Sequence, residues 1–269
     1  MTSSPTKPIA WNAADYAANS AAQHGWAREL IARLALRGDE QVLDIGCGDG
    51  KVTAEIARVL KSGGITGIDS SRQMIEFARK TFPQAKHPNL NFQVMDARCI
   101  GLEQRLDVVF SSSVLHWVDD HPAFLRGASS VLRPGGRLLV SCGGKGNAQD
   151  VFLALRPELR QKRWSKFFRK LEKPYFFHAP GDYQKWLPKF GFKINTLKLA
   201  PKDATYAGAE GFAAWLRTTW LPYTQRVPEN LREEFIGAVT DRYVAKHPPD
   251  ADGRVHVRMM RLEIDAIKV

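Results

Sequence analysis

Val42-Leu43-Asp44-Ile45-Gly46-Cys47-Gly48-Asp49-Gly50 is followed nineteen residues later by Asp69, inside Gly64-Ile-Thr-Gly-Ile-Asp69-Ser70-Ser71. The apolar pair Val42 and Leu43 suits a short buried strand, and alternate glycines leave no Cβ where the backbone must turn tightly and approach a ligand. An acid at the end of the next strand can accept hydrogen bonds from both hydroxyls of a ribose. A dinucleotide loop of G-x-G-x-x-G spacing would need a third glycine at position 51, and Lys51 stands there. The pattern is G-x-G-x-G behind the acid Asp44, a loop with no pyrophosphate to seat on its helix.

Outward from this stretch, short apolar runs alternate with helical patterns. Strands are expected at 41–45, 64–68, 90–95, 106–111 and 136–142, with helices at 51–61, 71–82 and 121–132. Such alternation predicts an α/β fold: a Rossmann-like, doubly wound, mostly parallel seven-stranded sheet with an antiparallel last strand. Residues 1–38 are expected as an N-terminal helical flap and 39–142 as the core. Residues 143–255 are expected as a mainly helical inserted cap carrying one core strand near 192–199, and 256–269 as the closing strand. Phe212, Trp215, Leu216, Trp220 and Tyr223 fall near one helical stripe running into an extended Pro222 segment, either core or the wall of an apolar pocket.

With 269 residues, 44% of them hydrophobic, the chain can bury a substantial core. Cys47, Cys99 and Cys142 show no C-x-x-C spacing, so neither a disulfide framework nor a metal site is indicated, and a reducing cytoplasm is expected. No secretory leader is read at the start, and no run approaches the roughly 18 apolar residues of a membrane span. The net charge of +11 is concentrated: residues 151–202 hold 13 Lys and Arg against 3 Asp and Glu. Arg156, Arg160, Lys162, Arg163, Lys166, Arg169, Lys170 and Lys173 alternate with apolar residues at helical spacing, predicting a helix with a basic face. That face is either simply solvated, an attractor for an anionic substrate, or a contact for an acidic partner, nucleic acid or membrane surface.

Four motifs in order make the chain similar to the class I S-adenosylmethionine-dependent methyltransferases. They are the glycine loop, Asp69, Val94-Met95-Asp96-Ala97, and the pair Asp107-Val-Val-Phe-Ser111-Ser112-Ser113 with Leu132-Arg-Pro-Gly-Gly-Arg-Leu-Leu-Val140. The resemblance implies S-adenosylmethionine as cofactor and S-adenosylhomocysteine as product. It places Gly46, Gly48 and Gly50 at the methionyl part, Asp69 at the ribose, and Met74 and Asp96 at the adenine, with Asp44, Cys47, Ser70 and Ala97 also among the cofactor-binding residues. Ser111 and Ser112 follow at the end of the fourth strand. Beyond the core, the chain resembles the group of trans-aconitate, malonyl-carrier-protein and juvenile hormone acid methyltransferases. Trp11-Asn-Ala-Ala-Asp-Tyr16 with Ser20 and Gln23 looks like their flap over the cofactor, and Ser113-Val-Leu-His116-Trp117-Val-Asp-Asp-His121 like their segment after strand four. The chain departs from the trans-aconitate members at Leu221, which precedes Pro222 where they carry an arginine.

The implied reaction is methylation of a small-molecule acceptor, an anionic one and most simply a carboxylic acid alkylated at oxygen, with a carrier-linked acid as a variant. Methylation of nitrogen, carbon or a phenol oxygen is the first alternative. An RNA methyltransferase and a non-catalytic cofactor-binding subunit are further ones, though nucleic acid is disfavoured because no Asn-Pro-Pro-Tyr-like tetrapeptide follows strand four. A carboxylate is already ionised at neutral pH and needs no base. Any other acceptor makes His116 the residue best placed to take a proton, and His116 with Trp117 is the candidate pair that orients the acceptor. A monomer or a dimer fits equally.

Overall fold

A computed structural model describes Trp11, Ala13, residues 21–103 and residues 105–269, with residues 21–23 described by backbone alone. Of the expected flap contacts, Tyr16 and Ser20 lie outside the described residues, as does the side chain of Gln23. The chain divides into two compact units, 21–147 with 173–202 and 258–269, and 1–20 with 148–172 and 203–257.

Seven strands are ordered β3-β2-β1-β4-β5-β7-β6. They are β1 Gln41–Ile45, β2 Gly64–Asp69, β3 Leu90–Val94, β4 Leu106–Ser112, β5 Leu132–Gly143, β6 Phe192–Ala207 and β7 Arg254–Lys268. β1 pairs in parallel with β2 and β4, β2 with β3, and β4 with β5, while β7 runs antiparallel to β5. The strand order reverses between β1 and β4, the switch point at which open α/β sheets take ligands. Helices α1 Ala21–Ala32, α2 Lys51–Val59, α3 Arg72–Thr81, α4 His121–Val131 and α6 Pro180–Trp186 accompany these strands. β1 shows why the run at 42–45 folds as it does: all four residues are buried, as a central parallel strand covered on both faces requires. One apolar cluster includes Leu43, Val109, Phe124 and Leu138, and a second includes Val42, Ile56, Ile75 and Phe92.

β3 forms one edge of the sheet. There the main-chain oxygen of Phe92 accepts from the Arg79 guanidinium at 2.5 and 3.1 Å, and its N–H donates to Asn91 Oδ1 at 2.9 Å.

The second unit contains α5 Gln149–Arg160, α7 Gly208–Thr219, the single turn α8 Leu221–Thr224 and α9 Glu229–Val244. Phe212, Trp215, Leu216, Trp220 and Tyr223 are all buried within it; Phe212 stacks on Tyr243 at 4.5 Å and Trp164 meets Phe235 edge-on at 5.4 Å. These rings are the core of this unit, each contributing about 1.5–3 kcal/mol of burial. Around Pro222 the chain is a helical turn where the sequence suggested an extended one; proline is accepted in a first turn, whose N–H groups have no intrahelical acceptor. The expected basic helix also breaks. α5 stops at Arg160, a 3-10 turn spans Ser165–Phe168, and Lys170 has φ 58°. Trp164 and Phe168 stay buried while the eight cations stay exposed. The buried Glu158 carboxylate is held by Arg242 and Gln161, each at 2.7 Å. Among the described residues no helix is long and apolar enough to cross a membrane.

Candidate active site

The glycine loop leaves β1 bound to the end of β2, with Gly46 and Cys47 N–H both donating to the Ile68 oxygen at 2.7 and 3.0 Å. Gly46 has φ 72°, and a Cβ added there would stand 2.1 Å from Val114 Cγ2. Only glycine lets the loop lie against the segment that follows β4. At Gly50, with φ 81°, an added Cβ would meet the Phe92 ring at 2.7 Å. Cys47 is buried and its side chain packs beneath Gly67. Burial first, then Asp44 and Asp69, hold its thiol well above the usual range.

Two carboxylates brace this loop. Asp44 is buried and accepts from Thr53 Oγ1 at 2.7 Å. Burial pushes its pKa up to about 7, against the Thr53 hydrogen bond and with help from the Asp69 charge. Asp69 accepts from Gly48 N–H at 3.1 Å through one oxygen and from Ser71 N–H at 2.8 Å through the other. Its pKa is raised by burial and held back by those two amides. Ser70 is exposed, and Ser71 caps α3 by accepting from the N–H of the buried Met74 at 3.3 Å. Met95 N–H donates to the main-chain oxygen of Asp69 at 3.0 Å, bringing the ends of β2 and β3 together. Asp96 is gripped through both oxygens by Arg98, at 2.7 and 3.0 Å, which holds it below the usual carboxylate range. Arg98 also reaches Asp119 at 3.0 Å, and Ala97 packs on the core beside them.

At the end of β4 three serines divide the work. Ser111 is fully buried and donates to the Ile45 oxygen at 2.9 Å, so its hydroxyl ties β4 to β1. Ser112 has a buried hydroxyl oxygen that no described group hydrogen-bonds. Ser113, at φ 65°, accepts from Arg261 at 2.9 Å. His116 follows in a 3-10 turn, Leu115–Trp117, and its Nδ1 accepts from Gly143 N–H at 3.3 Å. That bond requires Nδ1 without a proton, so the ring N–H sits on Nε2. Burial, then the charges of Arg261 and His121, lower its pKa to about 3. Phe177 stacks on the ring at 6.0 Å, and Tyr175 packs against Trp117 at 4.8 Å. His116 is therefore a neutral donor and a poor proton acceptor. Trp11 is half-buried in the other unit.

Arg261 was not singled out from the sequence. It is 3% exposed on β7 and donates to Ser113 Oγ, Ser141 Oγ and the Ser141 oxygen at 2.9–3.3 Å. A signal existed: Val255, Val257 and Met259 alternate with exposed residues, and period two puts Arg261 on the same buried face.

The residues fit an adenosyl amino acid. Side-chain-free backbone lines the loop, the Asp69 carboxylate lies beside it at the tip of the next strand, and an unsatisfied Ser112 oxygen is buried at the end of β4. Among the described residues no cluster of three or more histidines, cysteines and acids could hold a metal.

Comparison with known proteins agrees. A family model described as a methyltransferase domain matches residues 42–136. The trans-aconitate 2-methyltransferase of Agrobacterium fabrum is 30% identical over 267 residues, spanning 97% of this chain and all of that one. An uncharacterised methyltransferase of Schizosaccharomyces pombe is 32% identical over 189 residues, 69% of this chain and 71% of its own. Among solved structures, magnesium protoporphyrin IX methyltransferase from Synechocystis, with S-adenosylhomocysteine bound, superposes with a TM-score of 0.56 at 15% identity, covering 94% of this chain and 86% of that one.

Proposed function

Because the chain belongs to the class I S-adenosylmethionine-dependent methyltransferases, in the family that includes the trans-aconitate 2-methyltransferases, we propose that it methylates a carboxylate oxygen of a small anionic acceptor. Bound S-adenosylmethionine supplies a methyl group on a cationic sulfur. The chain's own residues then have three tasks. Gly46, Gly48 and Gly50 lend close backbone to the methionyl part and Asp69 takes the ribose hydroxyls, with Asp96, Ala97 and Met74 toward the adenine. His116 offers the Nε2 proton to the acceptor, and Trp117 with Tyr175 and Phe177 forms an apolar wall that excludes water.

The observation that carries this reading is the state of His116. Its proton-accepting nitrogen is spent on Gly143 and its pKa is about 3, so the site suits an acceptor that arrives already deprotonated. The buried Arg261 cation behind Ser113 favours negative charge in the same place. Positioning alone can then supply roughly 7–11 kcal/mol of the acceleration.

The test is incubation with methyl-labelled cofactor and separate pools of carboxylic acids, amines and phenols. Label should appear in the acid pool as an ester released by mild alkali; label confined to amines or phenols refutes the assignment. The exposed cations of 156–173 favour one second reading, an RNA base as acceptor. It requires salt-sensitive binding to tRNA, and absence of any gel shift removes it.

A further inference from the structure

We infer that a cavity walled by α1, β5, β6 and β7 binds a small anion carrying two or three carboxylate groups, at a place separate from the cofactor loop. The cavity holds about 500 Å³, within the size of small-molecule sites. Among the described residues, four cations, Arg33, Lys198, Lys202 and Arg261, line it against two carboxylates, Glu29 and Glu263. The surplus is two positive charges in a partly enclosed space, where screening is weaker than on open surface.

The layout follows from strand periodicity. Lys198 and Lys202 are an even number of residues apart on β6, as are Arg261 and Glu263 on β7, so each pair projects from one face. The acids order the cations in advance. Glu263 holds Arg33 at 2.8 Å and Lys198 at 3.7 Å, and Glu29 holds Lys202. Trp26 lies under the Arg261 guanidinium at 5.0 Å, and with Nε and Nη2 already held by Ser141 and Ser113 this cation adds fixed positive charge to the wall, leaving the direct contacts to Arg33 and the two lysines. A single negative charge would leave the surplus half met, whereas a di- or tricarboxylate meets it. Loop residues 46–50 and Asp69 contribute nothing to these walls. Arg261 alone also touches Ser113 at the reacting edge, so occupancy of the cavity is felt there.

The site stands whatever the methyl acceptor is. Citrate and acetate are titrated calorimetrically into the full chain, wild type and Lys198→Ala/Lys202→Ala, with S-adenosylhomocysteine titrated into both as a check of the fold. Citrate is expected to bind about tenfold or more tighter than acetate, to weaken as salt is added, and to lose about tenfold in the double variant while S-adenosylhomocysteine binds both proteins alike. Should the double variant fail to fold, Lys198→Gln carries the same comparison, since Lys198 is 57% exposed. No heat with citrate, or the same citrate affinity in variant and wild type, overturns the proposal.

Discussion

Replacing Asp44 by asparagine should stabilise the ligand-free protein above neutral pH. The carboxyl is 2% exposed and its pKa rises from an ordinary 3.8 to about 7. A rise of about three units corresponds to about 4 kcal/mol, at about 1.4 kcal/mol per unit. The sign follows from proton counting. Between about pH 4 and 7 the folded chain holds a proton on Asp44 that the unfolded chain has released, so stability falls as pH rises through this window and levels off above it. Asparagine is neutral throughout and still offers an oxygen to Thr53 Oγ1. Urea unfolding of wild type and Asp44→Asn at about pH 5, 6, 7 and 8, without ligand, measures the difference between them, in which titrations common to both cancel. The variant should gain on wild type with each step and lead by up to about 4 kcal/mol at the top. A difference that does not change with pH, or a variant less stable at about pH 8, would falsify the claim that burial keeps this acid protonated.

Asp69→Ala should weaken S-adenosylhomocysteine by about a hundredfold or more, since two charge-assisted hydrogen bonds at about 1.5–3 kcal/mol each are lost; unchanged affinity by calorimetry would remove the ribose role. For a carboxylate acceptor, neither the acid, which ionises near about 4, nor His116, near about 3, should add a limb to kcat/KM between about pH 6 and 8 when the enzyme is saturated with cofactor. A rising limb in that range that His116→Ala abolishes would point to a phenol or amine instead. His256 bridges Asp203 at 2.6 Å and Asp250 at 2.9 Å, and the two acids raise its pKa, Asp250 more strongly. This clasp contributes fully below the ordinary histidine value near 6.5 and is lost as pH rises through the higher folded value. His256→Gln should flatten that alkaline decline in unfolding curves, and an unchanged slope counts against the clasp.

The sheet was legible because its signals are local. The run Val42 to Gly50 announces a buried strand and its turn, and Asp69 announces the end of the next. What stayed hidden depends on partners distant in sequence. Ser111 and Ser112 look alike as letters, yet one hydroxyl ties two strands and the other lies buried without a partner. The Nδ1 acceptor role of His116 comes from Gly143, 27 residues away, and fixes the tautomer that decides between base and donor. Arg261 lay in a strand read only as closing the sheet, and its company of Ser113, Ser141 and Trp26 is made by topology. The basic helix over 156–173 failed for a local reason: apolar spacing persists through Trp164 and Phe168, but the backbone turns extended at Gln161.

The saturated main chain of Phe92 bears on how copies of this protein meet. An outermost strand with bare amides and carbonyls invites another polypeptide to zip onto it, the route by which many α/β proteins become continuous ribbons or clump when crowded. Arg79 and Asn91 occupy that register from within, so a newcomer would have to evict a guanidinium before making its first rung. At this point of β3 the chain's own side chains therefore stand where an added strand would have to bond.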